Sequence, residues 1–184
     1  MRKNMNLNEI FVTKMCHDLA GSIGVLDNTT ELLKMDSSFV EEGTDLLKQS
    51  TGVLVARLRL YRALLGLNSP ITLDIALKYL DTLPMPISLM GQVQKKEHLI
   101  FVLMASEILV RGGSVELGEN NFVCSGKSLF LDETKKKILL ENEQNEKPQY
   151  AVVLWLQDWM KKNNLKVEIF QNEEALSMRF LSVI

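Results

Sequence analysis

His17 stands in the run Met15-Cys16-His17-Asp18-Leu19-Ala20-Gly21-Ser22-Ile23-Gly24. A neutral imidazole carries a free ring lone pair and can attack phosphorus, so a histidine held in the open is a candidate phosphoryl acceptor. An acid follows it directly, and Gly21 and Gly24 come four and seven residues later, on the same side of a helix. Val12, Cys16, Leu19, Ile23, Leu26 and Leu33 recur in steps of four, three, four, three and seven, which reads as an a/d seam. At ~100° per residue His17 lies about 140° from the middle of that seam, and so is expected to face solvent. Each mid-helix glycine costs ~1 kcal/mol against alanine, so two of them beside the histidine call for a reason such as clearance for an incoming group. The plainer reading is a surface histidine beside two ordinary glycines.

Asp18 is placed to hydrogen-bond one ring nitrogen and so fix which nitrogen attacks; its alternative is a solvated helix acid. Further along, Arg57, Arg59 and Arg62 offer either a basic rim to an acidic partner or ion pairs to Asp27, Glu31 or Asp45. The second histidine, His98, opens a strongly apolar stretch and reads as structural. Trp155 and Trp159 are one helical turn apart and read as packing residues.

These residues must be held by two kinds of structure. Residues 1–67 read as two long helices. Asn6 with Glu9 has the form of a capping box for the first, which runs to about residue 35. Asp36-Ser37 makes a turn, and Ser38 with Glu41 is a second capping box. Gly66 can end the second helix in a left-handed cap, with Asn68-Ser69-Pro70 blocking continuation. Helices of ~28 residues are roughly 42 Å long, and so short a connection makes them antiparallel. The second helix carries Phe39, Leu46, Leu47, Val53, Leu54, Leu58, Leu60, Tyr61, Leu64 and Leu65, a stripe wider than one partner helix needs. A homodimer pairing two hairpins into a four-helix bundle answers that; packing on the rest of the chain is the alternative.

From residue 72 the texture changes. The pattern predicts a helix over 72–80 with a Thr cap, a strand over 87–90, a buried helix over 95–111 and a hairpin of strands 114–117 and 122–124. A further strand is predicted over 128–131 and a short helix over 133–140. A helix from Pro148 to about residue 163 and strands over 165–170 and 176–183 complete the chain. Helices on one mostly antiparallel sheet make an α+β unit. The expected division is 1–68 and 72–184.

The chain has 184 residues, 46% apolar and 24% charged, with a net charge of −2. That charge gives no field for nucleic acid; Lys135 to Lys137 and Lys161-Lys162 read as solvated faces. Two cysteines, Cys16 on the seam and Cys124 in a strand, are expected to be buried thiols, not a disulfide framework. No set of His and Cys has zinc spacing. The start of the chain has no signal-peptide apolar run, and the apolar helix near residue 100 is too short to span a bilayer. No membrane association and a cytoplasmic location are expected.

A helical hairpin followed by an α+β unit is the layout of a histidine kinase core. Yet the buried helix carries no Asn for a magnesium site, and no Asp-x-Gly-x-Gly run occurs. Gly112-Gly113, Gly118 and Gly126 sit at strand ends and turns, where a backbone role suffices. No cofactor is therefore expected on this chain. The segment Cys16 to Gly24 resembles the H-box of the ChpT-type histidine phosphotransferases of alphaproteobacteria. Arg57-Leu58-Arg59-Leu60-Tyr61-Arg62 with Gly66 is similar to that family's basic segment. Ala105-Ser106-Glu107-Ile108-Leu109-Val110-Arg111-Gly112-Gly113 resembles its Ala-rich helix ending in Arg-Gly-Gly. The likeness spans most of the chain, and departs from the family at Ser22, where proline is usual and would bend the helix.

The resemblance implies a dimeric hairpin bundle followed by a degenerate histidine-kinase ATPase-like α/β sandwich. It implies a phosphocarrier, with His17 as phosphoacceptor and Gly21, Gly24, Arg57 and Arg62 meeting the partner. The donor would be the receiver domain of a hybrid sensor histidine kinase, which brings its own Mg2+. The acceptors would be response regulators of the CtrA and CpdR type. A divergent autophosphorylating kinase and a non-enzymatic receiver-binding scaffold stay open beside it.

Overall fold

The computed structural model describes residues 6–35, 37–67 and 70–183. Asp36, Asn68 and Ser69, which the sequence assigned to the turn and to the helix stop, lie outside the described residues.

Helix α1 spans Leu7–Met35 and α2 spans Val40–Leu65. The capping box is made at the start of α1: Glu9 N–H donates to Asn6 Oδ1 at 2.9 Å and Asn6 N–H donates to Glu9 Oε2 at 3.0 Å. The start of α2 is built differently from the predicted box. A 3₁₀ turn over Ser37–Phe39 leads into it, and Phe39 takes the N-cap position with no side-chain cap bond. Gly66 closes α2 in a left-handed cap at φ 71°, with its N–H on the Ala63 carbonyl. Helix α1 is uninterrupted through Ser22.

The buried line of α1 is Phe11, Ser22 and Thr29, with Asp18 partly covered on the same face. By helical geometry this line is about 80° from the predicted seam. Val12, Cys16 and Ile23 of that seam are exposed, Ile23 at 54%, whereas Leu19, Leu26 and Leu33 are half-buried. The cause is that polar side chains fill the inner face. Asp18 and Ser22 meet groups on α2, and Thr29 satisfies itself on the Val25 carbonyl at 2.7 Å. A pattern of apolar residues alone does not find such a face.

Beyond residue 72 the chain builds α3 (Leu73–Leu80), β1 (Ile87–Met90), α4 (Lys96–Ile108), β2 (Gly113–Leu117) and β3 (Asn121–Ser125). It continues with α5 (Glu133–Glu141), α6 (Ala151–Lys162), β4 (Leu165–Gln171) and β5 (Ala175–Ser182). The sheet order is β1-β2-β3-β5-β4, antiparallel except for the β1–β2 pair. Thr72 caps α3 through its side-chain oxygen. The stretch expected as a strand over 128–131 joins no sheet; Phe130 N–H bonds the Ile108 carbonyl at 2.9 Å instead. Pro148 begins a 3₁₀ turn, Pro148–Tyr150, that leads into α6.

Helix α4 is buried continuously from His98 to Ala105 and again at Ile108, because the sheet, α3, α6 and the hairpin surround it. Phe101 stacks on Phe180 at 5.1 Å and on Phe122 at 5.2 Å, with Trp159 edge-on to Phe180 at 5.1 Å. Gly113 is required for its backbone: at φ 140° an added Cβ would lie 2.3 Å from the Ser125 carbonyl oxygen. The Arg-Gly-Gly end of the helix region thus lets β2 enter between β1 and β3.

The hairpin docks on this unit through Phe11, whose ring lies 4.2 Å from that of Trp155 and edge-on to Tyr61 at 5.8 Å. The half of α2 near its C-terminus buries Leu60, Ala63 and Leu64, whereas between Gly43 and Ala56 no residue of α2 is buried. At Gly43 the two helices pass so closely that an added Cβ would meet Leu33 Cδ2 at 2.6 Å. The wide stripe of α2 is therefore buried at Leu60, Tyr61 and Leu64 and only half-buried at Leu47, Val53 and Leu54.

Candidate functional site

Helix α1 carries His17 outward, with its side chain 89% exposed. Gly21 and Gly24, one and two turns on, face open space: a Cβ added at either would meet no atom within 4 Å. A cleft of about 410 Å³ adjoins the imidazole, lined by Thr13, Lys14, His17, Asp18, Pro148 and Gln149. The 3₁₀ turn before α6 thus forms one wall beside the histidine and α1 forms the other.

Asp18 is turned to the α2 side and is 22% exposed. Tyr61 on α2 donates its hydroxyl to Asp18 Oδ2 at 2.6 Å, and Lys14, one turn earlier on α1, reaches the same oxygen at 3.2 Å. Asp18 Oδ1 faces His17 Nδ1 at 3.5 Å. Burial pushes the Asp18 carboxyl up, but the Tyr61 hydrogen bond and then the Lys14 ammonium outweigh it, leaving it below the ordinary 3.8. Burial and then the Asp18 carboxylate push the Tyr61 phenol far upward, so it stays a proton donor.

Arg57 is half-buried between the helices. It donates to the Asp18 main-chain carbonyl at 2.7 Å and lies 3.5 Å from Ser22 Oγ. These partners are in α1 next to the histidine, and are not the Asp27, Glu31 or Asp45 that the sequence offers; Asp45 pairs with Lys48. Arg59 and Arg62 are exposed on α2. The structure therefore brings His17, Asp18 and Arg57 together at one level of the hairpin, with Gly21 and Gly24 just beyond.

Lys14 and Tyr61 were not singled out in the sequence as site residues. Lys14 has a legible signal, since it stands four residues before Asp18, the spacing of a helix ion pair. Tyr61 has none, because it lies 43 residues away and falls in an apolar stripe. Lys14 also approaches Glu107 of α4 at 3.9 Å, and Glu107 pairs with the buried Lys135 of α5 at 2.7 Å. A line of charges thus runs from Asp18 into the sheet-bearing unit.

His98 is buried, with Nδ1 accepting the Gln94 N–H at 3.2 Å. Cys124 is buried and its thiol is pushed up to about 12, whereas Cys16 is exposed, because it lies outside the inner face of α1. Trp155 packs on Phe11 between the two parts of the chain, and Trp159 joins the aromatic cluster. Among the described residues no helix is long and apolar enough to cross a membrane.

No protein-family model matches the chain, and no curated protein matches it. A solved structure of a bacterial phosphotransferase matches with a TM-score of 0.80 at 19% sequence identity, covering 98% of this chain and 98% of that one. The two molecules share a fold over essentially their whole length.

Proposed function

We propose that this protein is a histidine phosphotransferase of a two-component phosphorelay, with His17 as the phosphoacceptor. The observation that carries the reading is the exposed imidazole on α1, beside Asp18 and cleared of bulk at Gly21 and Gly24. The shared fold with a bacterial phosphotransferase supports it.

In this reading a receiver domain phosphorylated on aspartate docks on the hairpin. A ring nitrogen of His17 attacks phosphorus, a P–N bond forms, and the acyl P–O bond breaks with its electron pair leaving on the receiver's carboxylate. The reverse step hands the phosphoryl group to the aspartate of a second receiver. Each receiver brings Mg2+ and a lysine for the moving charge, so this chain supplies position and access. The donor is the receiver of a hybrid sensor histidine kinase, and the acceptors are response regulators of the CtrA and CpdR type. Exposed Arg62 stands on the hairpin surface as a docking residue for an acidic receiver face.

The working form is a homodimer. Its support is the set of exposed apolar side chains on the hairpin, Val12 and Ile23 of α1 and Leu46, Val55 and Leu58 of α2.

The test is a relay assay. Purified chain mixed with a radiolabelled phospho-receiver is expected to acquire an acid-labile, base-stable phosphate. His17→Ala is expected to acquire none while keeping its helical circular dichroism. Labelling that persists in His17→Ala overturns the assignment.

A further inference from the structure

We infer that Tyr61 is a positioning residue for transfer at His17: its hydroxyl latches Asp18 so that the carboxylate turns the Nε2 lone pair of His17 outward. The inference rests on the reading of His17 as phosphoacceptor and deepens it.

The two carboxylate oxygens of Asp18 are used differently. Oδ2 takes both the Tyr61 hydroxyl at 2.6 Å and the Lys14 ammonium at 3.2 Å. Oδ1 faces His17 Nδ1 at 3.5 Å. An aspartate on a helix surface samples several rotamers. Here one oxygen is pinned from the opposite helix, and the other is left pointing at the ring. Arg57 adds to this by holding the Asp18 main-chain carbonyl at 2.7 Å. Tyr61 is itself fixed, buried and edge-on to Phe11, so the latch is anchored in the core and not in solvent.

The consequence is chemical. A neutral imidazole carries its proton on one nitrogen and its lone pair on the other, and the hydrogen bond made by one nitrogen decides which. In water the Nε2–H form is preferred, which would leave the lone pair on Nδ1, against α1. A carboxylate facing Nδ1 reverses that preference. Nε2 then carries the lone pair and faces the open side, where Gly21 and Gly24 leave room. During transfer the Nε2–P bond forms and the acyl P–O bond of the receiver breaks, its electron pair leaving with the carboxylate. The Nδ1 proton stays in place, and Asp18 balances the positive charge that develops on the ring.

The chain has two histidines, which makes the test direct. His98 accepts a backbone N–H at Nδ1, so its neutral form carries the proton on Nε2 and is an internal reference for the opposite tautomer. The experiment records imidazole nitrogen shifts of ¹⁵N-labelled wild type, Tyr61→Phe and Asp18→Asn, above the imidazole titration. Tyr61→Phe keeps the ring that packs on Phe11 and removes only the hydroxyl. His17 in wild type is expected as the Nδ1–H form, and both variants are expected to move toward the Nε2–H form while His98 stays unchanged. Phosphorylation of His17 by potassium phosphoramidate is expected to slow on the order of tenfold in Tyr61→Phe, the effect of one lost hydrogen bond to a charged group.

His17 shifts in Tyr61→Phe that coincide with wild type overturn the latch, as does a wild-type His17 already in the Nε2–H form. Should Tyr61→Phe fail to fold, Asp18→Asn decides by the same shifts, and an unmoved His17 there overturns the proposal as well. A wild-type chain that takes no phosphoryl group from a phospho-receiver, with nitrogen shifts that still move in Tyr61→Phe, ends the phosphotransfer reading and supports the latch alone.

Discussion

Asp18 shows how much of the site depends on contacts made across the hairpin. Its carboxylate is bonded by a phenol from α2 and an ammonium from its own helix. Both favour the charged form, and together they hold the carboxyl below its ordinary 3.8 despite burial. A carboxyl whose folded pKa is depressed adds stability above the unfolded value, and that stability is lost as pH falls through the folded value. Asp18→Asn is therefore expected to melt below wild type at neutral pH, with the gap closing as pH drops under about 3.8. Thermal melts across pH 2.5–7 would check this; a gap independent of pH counts against a charged Asp18 in the fold. The pairing of Lys14 with Asp18 was legible from their spacing. The role of Tyr61 was not, since nothing local links it to Asp18.

At the scale of the element, the apolar period of α1 marks a face that its own chain covers only in part, at Leu19, Leu26 and Leu33, while the inner face is largely polar. Phe11 is an apolar member of that inner face. Its ring sits between Tyr61 of α2 and Trp155 of α6, so this side chain touches both the second helix and the sheet-bearing unit. Phe11→Ala removes that ring from a nearly fully buried position and is expected to cost about 3–5 kcal/mol, read as a lower urea midpoint. A loss under about 1 kcal/mol would mean that the contact is not a structural joint. The helix ends were the most legible features. Asn6 with Glu9, Thr72 and Gly66 all act where capping chemistry places them. Ser38 with Glu41 has the same form, yet α2 starts from Phe39, because a 3₁₀ turn brings the chain into the helix one residue later than the box requires.

For the whole molecule, the hairpin is half-covered. Near Phe11 and Leu64 it is buried against α3, α4 and α6, whereas between Gly43 and Ala56 α2 has no buried residue. If that half is closed by a second copy, as proposed above, a charge in the exposed row should prevent it. Ile23→Glu is expected to convert the protein from dimer to monomer in sedimentation velocity, with the α+β unit still folded. A wild type that sediments as a monomer at micromolar concentration removes the dimer from the reading. The ion pairs from Asp18 through Lys14 and Glu107 to Lys135 belong to this scale too, because they tie the histidine's helix to α4 and α5.

The sequence by itself determined most of the secondary structure, though not the strand expected over 128–131, together with the position of the buried α4, the caps at Asn6, Gly66 and Thr72, and the outward direction of His17. Each of these follows from spacing along one element: apolar period, turn residues, or the angle between neighbours on a helix. The tertiary structure alone decided which face of α1 is covered and what holds Asp18. It also decided that Arg57 lies between the helices and that Cys16 is open to solvent. Those depend on which distant side chains meet, and a polar inner face built from Asp18, Ser22 and Thr29 leaves no apolar period to read. The physical reason is that hydrogen bonds across the hairpin satisfy polar groups which a one-dimensional pattern assigns to the surface.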